Sequence, residues 1–391
     1  MALKLRQYLL LVLACCASAN ASAQHGHHPP GGPPLAASAA VDPQGTLWAV
    51  AVEGRHVVLR QSPDFGRSWS APRRVNAAPE GVGTEGDARP KIAVGPRNDL
   101  HVTWTTPLAK PYTGHIRYSR SVDGGATFAP PVTVNSNREE ITHRFDALTV
   151  TPGGQVFIVW IDKRDAVAAA RAKRDAYAGA AVYFAVSKDG GATFGPDGKL
   201  ADHSCECCRI ALLPTGDDRV LAFWRAVLPP NVRDHALGEM RADGTVAGVR
   251  RATFDDWRID VCPHRCPSLA MDGSGRLHGV WYTDGKSAGV FYGRLRDGGV
   301  DGQRRIGGDA AAHADIAAHG GTVTIAWKEF DGRVTALKAL LSQDAGASWR
   351  ERTLATTGDA SDQPRLLMHD GRFYVFWNTA REPFGVWEVT P

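Results

Sequence analysis

LTVTPGGQVFIVW, residues Leu148–Trp160, is the stretch that decides the fold. A short apolar segment, a turn carrying glycine, and a second apolar segment ending in tryptophan read as two paired strands with one buried face. The same phrase recurs along the chain. IAVGPRNDLHVTW (Ile92–Trp104) precedes it, LLPTGDDRVLAFW (Leu212–Trp224) follows, and further copies close at Trp281, Trp327 and Trp377. A looser first copy lies around Leu35–Val52. The tryptophans that close successive copies, from Trp104 to Trp377, are 56, 64, 57, 46 and 50 residues apart. Periods near 50 in four-strand units predict an all-β fold, a β-propeller. A single blade leaves a hydrophobic face exposed, and stacking blades around an axis buries it. The apolar runs alternate or are β-branched and lack heptad spacing, which argues against a helical solenoid.

Seven copies predict seven four-stranded blades; six would follow if the loose first copy is not independent. The last copy has only three strands, around Leu366, Phe373 and Val386. Residues just after the N-terminal leader are therefore expected to supply its fourth strand and close the ring.

The 391 residues carry 45 Lys+Arg against 41 Asp+Glu, a formal charge of +4. Residues 1–23 hold Lys4 and Arg6 and no acid, so their removal leaves +2. That near-balance excludes nucleic-acid binding driven by bulk charge, which needs a concentrated basic surface. With 43% hydrophobic and 22% charged residues the chain is of ordinary globular composition. Residues 1–23 read as an export signal: the basic start is followed by the apolar run Tyr8–Ala17 and the small-residue pattern Ala21-Ser22-Ala23. Cleavage there leaves Gln24 first; cleavage before Cys15, giving a lipoprotein, is the alternative, with Val12-Leu13-Ala14 a loose lipobox. The apolar run is too short to span a bilayer, and no other stretch reads as a membrane span. The expected product is exported, periplasmic or secreted, with a flexible His/Pro/Gly-rich segment at 24–33 and one propeller over 34–391.

A second motif sits between the third and fourth strands of several units. It reads SPDFGRSW (Ser62–Trp69), SVDGGATF (Ser121–Phe128), SKDGGATF (Ser187–Phe194) and SQDAGASW (Ser342–Trp349). In each, the aspartate carboxylate accepts from nearby backbone amides, glycine supplies a positive φ, and the aromatic packs between sheets. Four such turns at blade spacing resemble the Asp boxes of the sialidase superfamily, over most of the mature chain. The resemblance implies a sialidase-like propeller, a fold that also serves other glycosidases and non-enzymatic proteins, with the boxes on the face opposite the usual ligand site.

Residues entering each innermost strand and residues leaving each second strand share the other face. Entering strands bring Arg89, Arg144, Arg209, Arg265, His313 and Arg365. The family resemblance implies an arginine clamp on a sugar carboxylate and a tyrosine nucleophile activated by glutamate, with an acidic proton donor. Carried over position by position, Arg89, Arg209 and Arg265 would form the clamp, Arg144 would add to substrate binding, Tyr282 would be the nucleophile and Glu329 its base. Asp162 or Asp165 would be the acid. The chain departs from the family at its first arginine, since Ala88-Arg89-Pro90-Lys91 follows the first box and lacks the Phe/Tyr-Arg-Ile-Pro pattern. The Ala-rich segment Asp162–Ala180, between the second and third strands of the third blade, is expected to form a short helix over the channel mouth.

Five cysteines remain after the leader. Cys205, Cys207 and Cys208 precede one innermost strand, and Cys262 and Cys266 precede the next, so the two groups are expected as neighbours at one channel mouth near His264 and His313. Two bridges and a spare thiol suit an oxidising compartment. Alternatively, thiolates with neighbouring imidazoles would hold a soft ion, copper or zinc. His25, His27 and His28 would add a loose metal-binding arm. Three functions follow as alternatives: an exo-glycosidase of sialidase type that needs no cofactor, a module that binds a glycan or other small acidic ligand, or a non-catalytic propeller carrying a soft metal. Oligomeric state is not readable from the chain.

Overall fold

The computed structural model describes residues 34–174, 177–260, 265 and 267–391. Seven antiparallel sheets follow one another in chain order. The first holds Ser38–Val41 (β1), Leu47–Glu53 (β2), His56–Ser62 (β3) and Arg73–Arg74 (β4); the second Lys91–Val94 (β5), Leu100–Pro107 (β6), Gly114–Ser121 (β7) and Val132–Thr133 (β8). In the third are His143–Val150 (β9), Val156–Asp162 (β10), Ala180–Ser187 (β11) and Gly198–Ser204 (β12), with one helix, Arg164–Arg171 (α1), inserted between β10 and β11. Ala211–Pro214 (β13), Arg219–Arg225 (β14), His235–Arg241 (β15) and Val246–Arg251 (β16) make the fourth. The fifth contains Ser268–Met271 (β17), Leu277–Asp284 (β18), Ala288–Arg296 (β19) and Gly299–Ile306 (β20). Ala311–His319 (β21), Thr322–Phe330 (β22), Thr335–Ser342 (β23) and Arg350–Thr357 (β24) form the sixth, and Arg365–His369 (β25), Arg372–Trp377 (β26) and Gly385–Val389 (β27) the seventh. Contacts between first strands run β1–β5–β9–β13–β17–β21–β25 and back to β1, so the sheets close a seven-bladed ring.

The tryptophan late in the second strand of blades two to seven explains why the repeat is legible. Trp104, Trp160, Trp224, Trp281, Trp327 and Trp377 are all fully buried. Their rings fill the layers between sheets, and a buried indole N–H needs an acceptor. Trp104 donates to Glu80 (3.0 Å), Trp160 to Asp162 (2.8 Å), Trp281 to Asp255 (2.8 Å), Trp327 to Glu329 (3.0 Å) and Trp377 to the Asp362 carbonyl (3.0 Å). Trp224 is the exception, with no partner for its indole nitrogen.

The four Ser-x-Asp turns bind themselves as the residue types require. In the second, Thr127 donates from its amide (2.9 Å) and hydroxyl (2.5 Å) to Asp123, and the Ser121 hydroxyl accepts from Gly125. Bonds from Thr127 and Ser121 hold the Asp123 carboxyl down at about 2. Each turn also reaches the preceding blade. Gly191 (φ +82°) lies so close to Tyr118 that a Cβ would stand 1.7 Å from its hydroxyl, and Phe194 meets the Tyr118 ring edge-on at 4.9 Å. Glycine here serves both the positive φ and the close approach.

Residues 24–33, expected to supply the fourth strand of the last blade, lie outside the described residues. Among the described residues the seventh sheet has three strands, and the chain entering the first blade binds it without becoming a fourth. The Leu35 carbonyl accepts from Asn378 (2.8 Å), and the Ala37 amide donates to Asp362 (3.1 Å). Arg89, 1% exposed, pairs with Asp362 and also donates to the Ala37 carbonyl (3.2 Å), so one guanidinium joins blades one, two and seven. Removing one partner of a buried pair leaves an uncompensated charge. Asp362→Ala is expected to lower unfolding free energy by about 3–5 kcal/mol, whereas the apolar double variant Arg89→Met/Asp362→Leu should lose less. Urea denaturation of the three proteins checks this.

Candidate functional site

Asp87, Arg89 and Lys91 lie where the chain enters the second blade, the first two in the turn and bend before β5 and the third at its first residue. There they begin a connected charged cluster in the channel mouth. Lys91 donates to the Asp87 and Arg89 carbonyls (2.5 and 2.9 Å) and lies 3.6 Å from Asp146 of β9. Arg365 of β25 reaches Asp87 (3.0 Å), and Arg209, just before β13, lies 3.8 Å from Asp87 and 3.9 Å from Asp315 of β21. Arg209 also donates to the Pro267 and Ala314 carbonyls (3.0 and 3.2 Å). Lys328 donates to the Ser361 carbonyl (3.0 Å) beside Asp362. Arg265 donates to the Ala311 carbonyl (3.2 Å). Among the described residues the cluster therefore sets Arg89, Lys91, Arg209, Arg265, Lys328 and Arg365 against Asp87, Asp146, Asp315 and Asp362, an excess of two positive charges.

His313 stands among these groups on a β-bulge. The register of β21 against β22 shifts between Ala312 and Asp315, opposite Trp327, and His313 takes φ 55°. β9 carries the same irregularity opposite Trp160, with Phe145 at φ 55°. A bulge re-aims a side chain at a barrel or channel rim, and a left-handed non-glycine residue stores strain that a site commonly uses. The Nδ1 atom of His313 is buried without a hydrogen-bond partner. Burial, then the charges of Lys328, Arg265 and Arg89, push its pKa well below the ordinary histidine value, with Asp87 opposing. Burial likewise lowers Lys91 and Lys328, against the pull of Asp146 and Asp87 on the first and Asp362 on the second.

The remaining residues proposed for catalysis are dispersed. Tyr282, partly exposed, lies under the Arg265 guanidinium (4.3 Å to the ring centre) and edge-on to Trp257. Glu329 accepts from the Trp327 indole and from the Gly308 amide (3.0 Å each), with Lys338 at 3.4 Å. Burial raises its carboxyl, but those three donors outweigh burial and hold it below the usual range. Among the described residues no hydrogen bond joins Tyr282 to Glu329. Asp162 is sealed, accepting from Trp160 and from the Arg164 backbone and side chain. Asp165, in the first turn of α1, accepts from the Tyr183 hydroxyl (2.9 Å) and pairs with Lys199. Arg144 pairs with exposed Glu85 and lies against the Phe145 ring at 4.9 Å. Arg265 and Arg209 enter the cluster directly, whereas Arg89 is spent on ring closure.

α1 forms as expected, and the residues flanking it, Lys163 and Tyr177, meet the segment that carries the cysteines. Lys163 pairs with Glu206 at 2.5 Å, the Tyr177 ring packs on His203 at 4.5 Å, and the Tyr177 hydroxyl donates to Asp202. That segment holds Cys205, Cys207 and Cys208, all buried, with their sulfurs within 4.8 Å of one another. Cys207 is disulfide-bonded, and Cys205 and Cys208 are thiols. The Cys208 S–H bond, aided by Arg225 and Arg233, pulls the Cys205 thiol down to about 6 against the effect of burial. Cys262, His264, Cys266 and the histidines at 25, 27 and 28 lie outside the described residues. His313 belongs to the charged cluster.

The sequence pattern missed Asp87, Lys91, Asp146, Asp315 and Asp362, whereas Lys328, directly after Trp327, was readable as a residue of this face. The Asp-x-Arg-x-Lys alternation at 87–91 was the readable signal; the other acids become neighbours only through ring closure. Two clefts of about 430 and 440 Å³ lie elsewhere, beside the turns of the opposite face at Asp189 and Gln343. Their lining lacks convergent charge, so the channel mouth is the stronger candidate site.

The chain is thus a seven-bladed propeller with a cationic channel mouth. No family profile matches it, and no curated protein matches it in sequence. Its fold is similar to that of a polysaccharide lyase of family PL25, an ulvan lyase solved bound to -[GlcA(1-4)Rha3S]-, with TM-score 0.56, 9% identity, and coverage of 89% of this chain and 90% of that one. The polysaccharide lyase Uly1 is similar at TM-score 0.52 and 9% identity, over 90% of this chain and 88% of that one. The α-L-arabinanase of Penicillium chrysogenum, complexed with arabinobiose, is similar at TM-score 0.51 and 13% identity, over 77% and 92%. At these identities the shared feature is the fold.

Two neutral buried histidines, His235 and His313, give the protein a pH signature. Both have native pKa values far below the ordinary value, so below about 6.5 the unfolded chain binds protons that the native state refuses. Their contribution is fully favourable above that pH and is lost as pH falls, at about 1.4 kcal/mol per pH unit per histidine. Unfolding free energy measured between pH 7.5 and 5.5 should decline on acidification, and His313→Gln should reduce the slope by one proton.

Proposed function

We propose that this chain is an exported, sialidase-like propeller that takes an acidic glycan at the channel mouth. The observation that carries the reading is the cluster in which six arginines and lysines from five blades meet four carboxylates, with His313 placed among them by a bulge. Guanidinium groups at a concave mouth suit carboxylate or sulfate groups on a sugar, because the planar fork bonds two oxygens at once. The ulvan lyase of the same fold is bound to -[GlcA(1-4)Rha3S]-, an anionic saccharide. The four Ser-x-Asp turns at blade spacing support the sialidase-superfamily relationship.

Recognition without sialidase-type hydrolysis is favoured over turnover by a specific observation. Glu329 and Asp162, the base and acid such chemistry would use, are each bound to the indole of their own blade. A nucleophilic tyrosine needs its base within hydrogen-bond reach.

Calorimetric titration with a sulfated, uronate-bearing oligosaccharide and with a neutral arabino-oligosaccharide tests the reading. The acidic ligand should bind, more weakly at high salt, and Arg365→Met should weaken it about tenfold, equivalent to about 1.4 kcal/mol. Equal affinity for the neutral ligand, or no binding of acidic saccharides, would overturn it. A fluorogenic sialoside decides the hydrolytic variant: turnover that disappears in Tyr282→Phe would restore the enzyme reading.

A further inference from the structure

The loop between β6 and β7 presents a tyrosine where folding gives it no reason to be. Tyr112 is 76% exposed, and its backbone holds φ 62°. A side chain in the left-handed region costs free energy, and glycine or asparagine there would lower the cost. Single exposed apolar residues are ordinary on a protein surface. Here, however, the exposed ring is kept at a strained position, and strain of that kind gathers at ligand clamps. The loop is also fixed in place. The Tyr112 carbonyl accepts from the Thr142 hydroxyl (2.8 Å), the Lys110 amide donates to Glu140 (2.8 Å), and the Gly114 amide donates to the Ile141 carbonyl (3.1 Å). These bonds stitch it to the segment that leads into β9, on the channel-mouth face. A ring held by a pinned loop has little freedom left to lose when a ligand binds.

Beside the ring stands a charge. The guanidinium carbon of Arg144, in β9, lies 5.9 Å from the Tyr112 ring centre and 4.9 Å from that of Phe145. Its one carboxylate partner among the described residues is Glu85 (2.8 Å), whose side chain is 74% exposed. The Arg144 side chain itself is 11% exposed, so an anion reaches it by replacing Glu85. That exchange is easy, because a surface ion pair contributes little. Both partners border the charged cluster. Glu85 is two residues from Asp87, and Arg144 is two residues from Asp146, at most about 7 Å of backbone. One sugar unit spans such a separation. A sugar offers an apolar C–H face and, where it is a uronate or a sulfate ester, an anionic edge. An aromatic ring suits the face and a guanidinium the edge.

We infer that Tyr112 and Arg144 form a rim subsite for a second acidic sugar of the saccharide chain. Tyr112 stacks on its ring, and Arg144 takes its carboxylate or sulfate in place of Glu85. The inference rests on the acidic-glycan reading of the channel mouth and adds the route by which the chain leaves it, between the second and third blades.

The test is calorimetric titration of the full mature chain with a sulfated, uronate-bearing tetrasaccharide. Tyr112→Ala should weaken binding about fivefold, and Tyr112→Phe should bind like the unaltered protein. Glu85→Gln should bind about threefold more tightly, because Arg144 is freed of its competitor. Urea midpoints of the three variants should match that of the unaltered protein, which separates lost contact from lost fold. Tyr112→Ala binding at full strength, Tyr112→Phe losing as much as Tyr112→Ala, or Glu85→Gln gaining nothing would each overturn the rim subsite. With an unaltered protein that binds, those results leave the channel-mouth reading standing. An unaltered protein that binds no acidic saccharide overturns both.

Discussion

A propeller is a closed ring, and the contact that closes it is the constraint on which the other features rest. Here the closing contact is polar and buried. Arg89 and Asp362 meet where the first, second and seventh blades converge, with the Leu35 and Ala37 backbone tied into the same place. Strand exchange between the chain ends would close such a ring through a ladder of backbone bonds. Within the described residues the last blade has three strands, and these few bonds tie the first blade to it. A buried ion pair contributes little net stability compared with apolar packing, but it penalises any other register of the blades, because a misregistered ring leaves both charges bare.

The same logic organises the channel. Seven first strands converge on one axis, so any charge they carry at their entry is forced near the charges of all the others. Carboxylates at 87, 146, 315 and 362 offset part of the arginine and lysine excess, and the surplus makes the mouth attractive to an anion. Arginines in this setting have two different duties that sequence position does not distinguish. Arg89 holds the ring, while Arg209 and Arg365 share Asp87 and keep charge directed at the mouth. The bulge at His313 adds a polar group with an unused buried nitrogen, held uncharged by its cationic neighbours.

Blade four breaks the pattern that the others obey. Every other described second-strand tryptophan between 104 and 377 has an oxygen for its indole, and Trp224 has none. The residue after it, Arg225, has no carboxylate partner among the described residues, and the nearby core holds three buried cysteines. An unpartnered indole next to an arginine without a carboxylate, in a fold that satisfies the equivalent indole five times elsewhere, marks a place shaped by more than packing.

The repeat of strand, turn and strand closing at tryptophan was enough to read the propeller, because burial of one large ring between sheets demands that residue at that spacing; six or seven blades stayed open until the structure showed the loose first copy to be a blade of its own. The Ser-x-Asp turns were equally legible: their hydrogen bonds span only four residues, so sequence proximity is spatial proximity. Arg209 and Arg265 were readable as mouth residues, since entry to an innermost strand fixes the face. What only the tertiary structure decided was partnership. Glu329 and Asp162 look like free acids in the sequence, yet each is claimed by an indole two residues away. Arg89 looks like a ligand clamp and proves to be a staple, because its partner Asp362 lies 273 residues along the chain. Charge has no period, and which carboxylate neutralises which arginine is settled only when the ring closes.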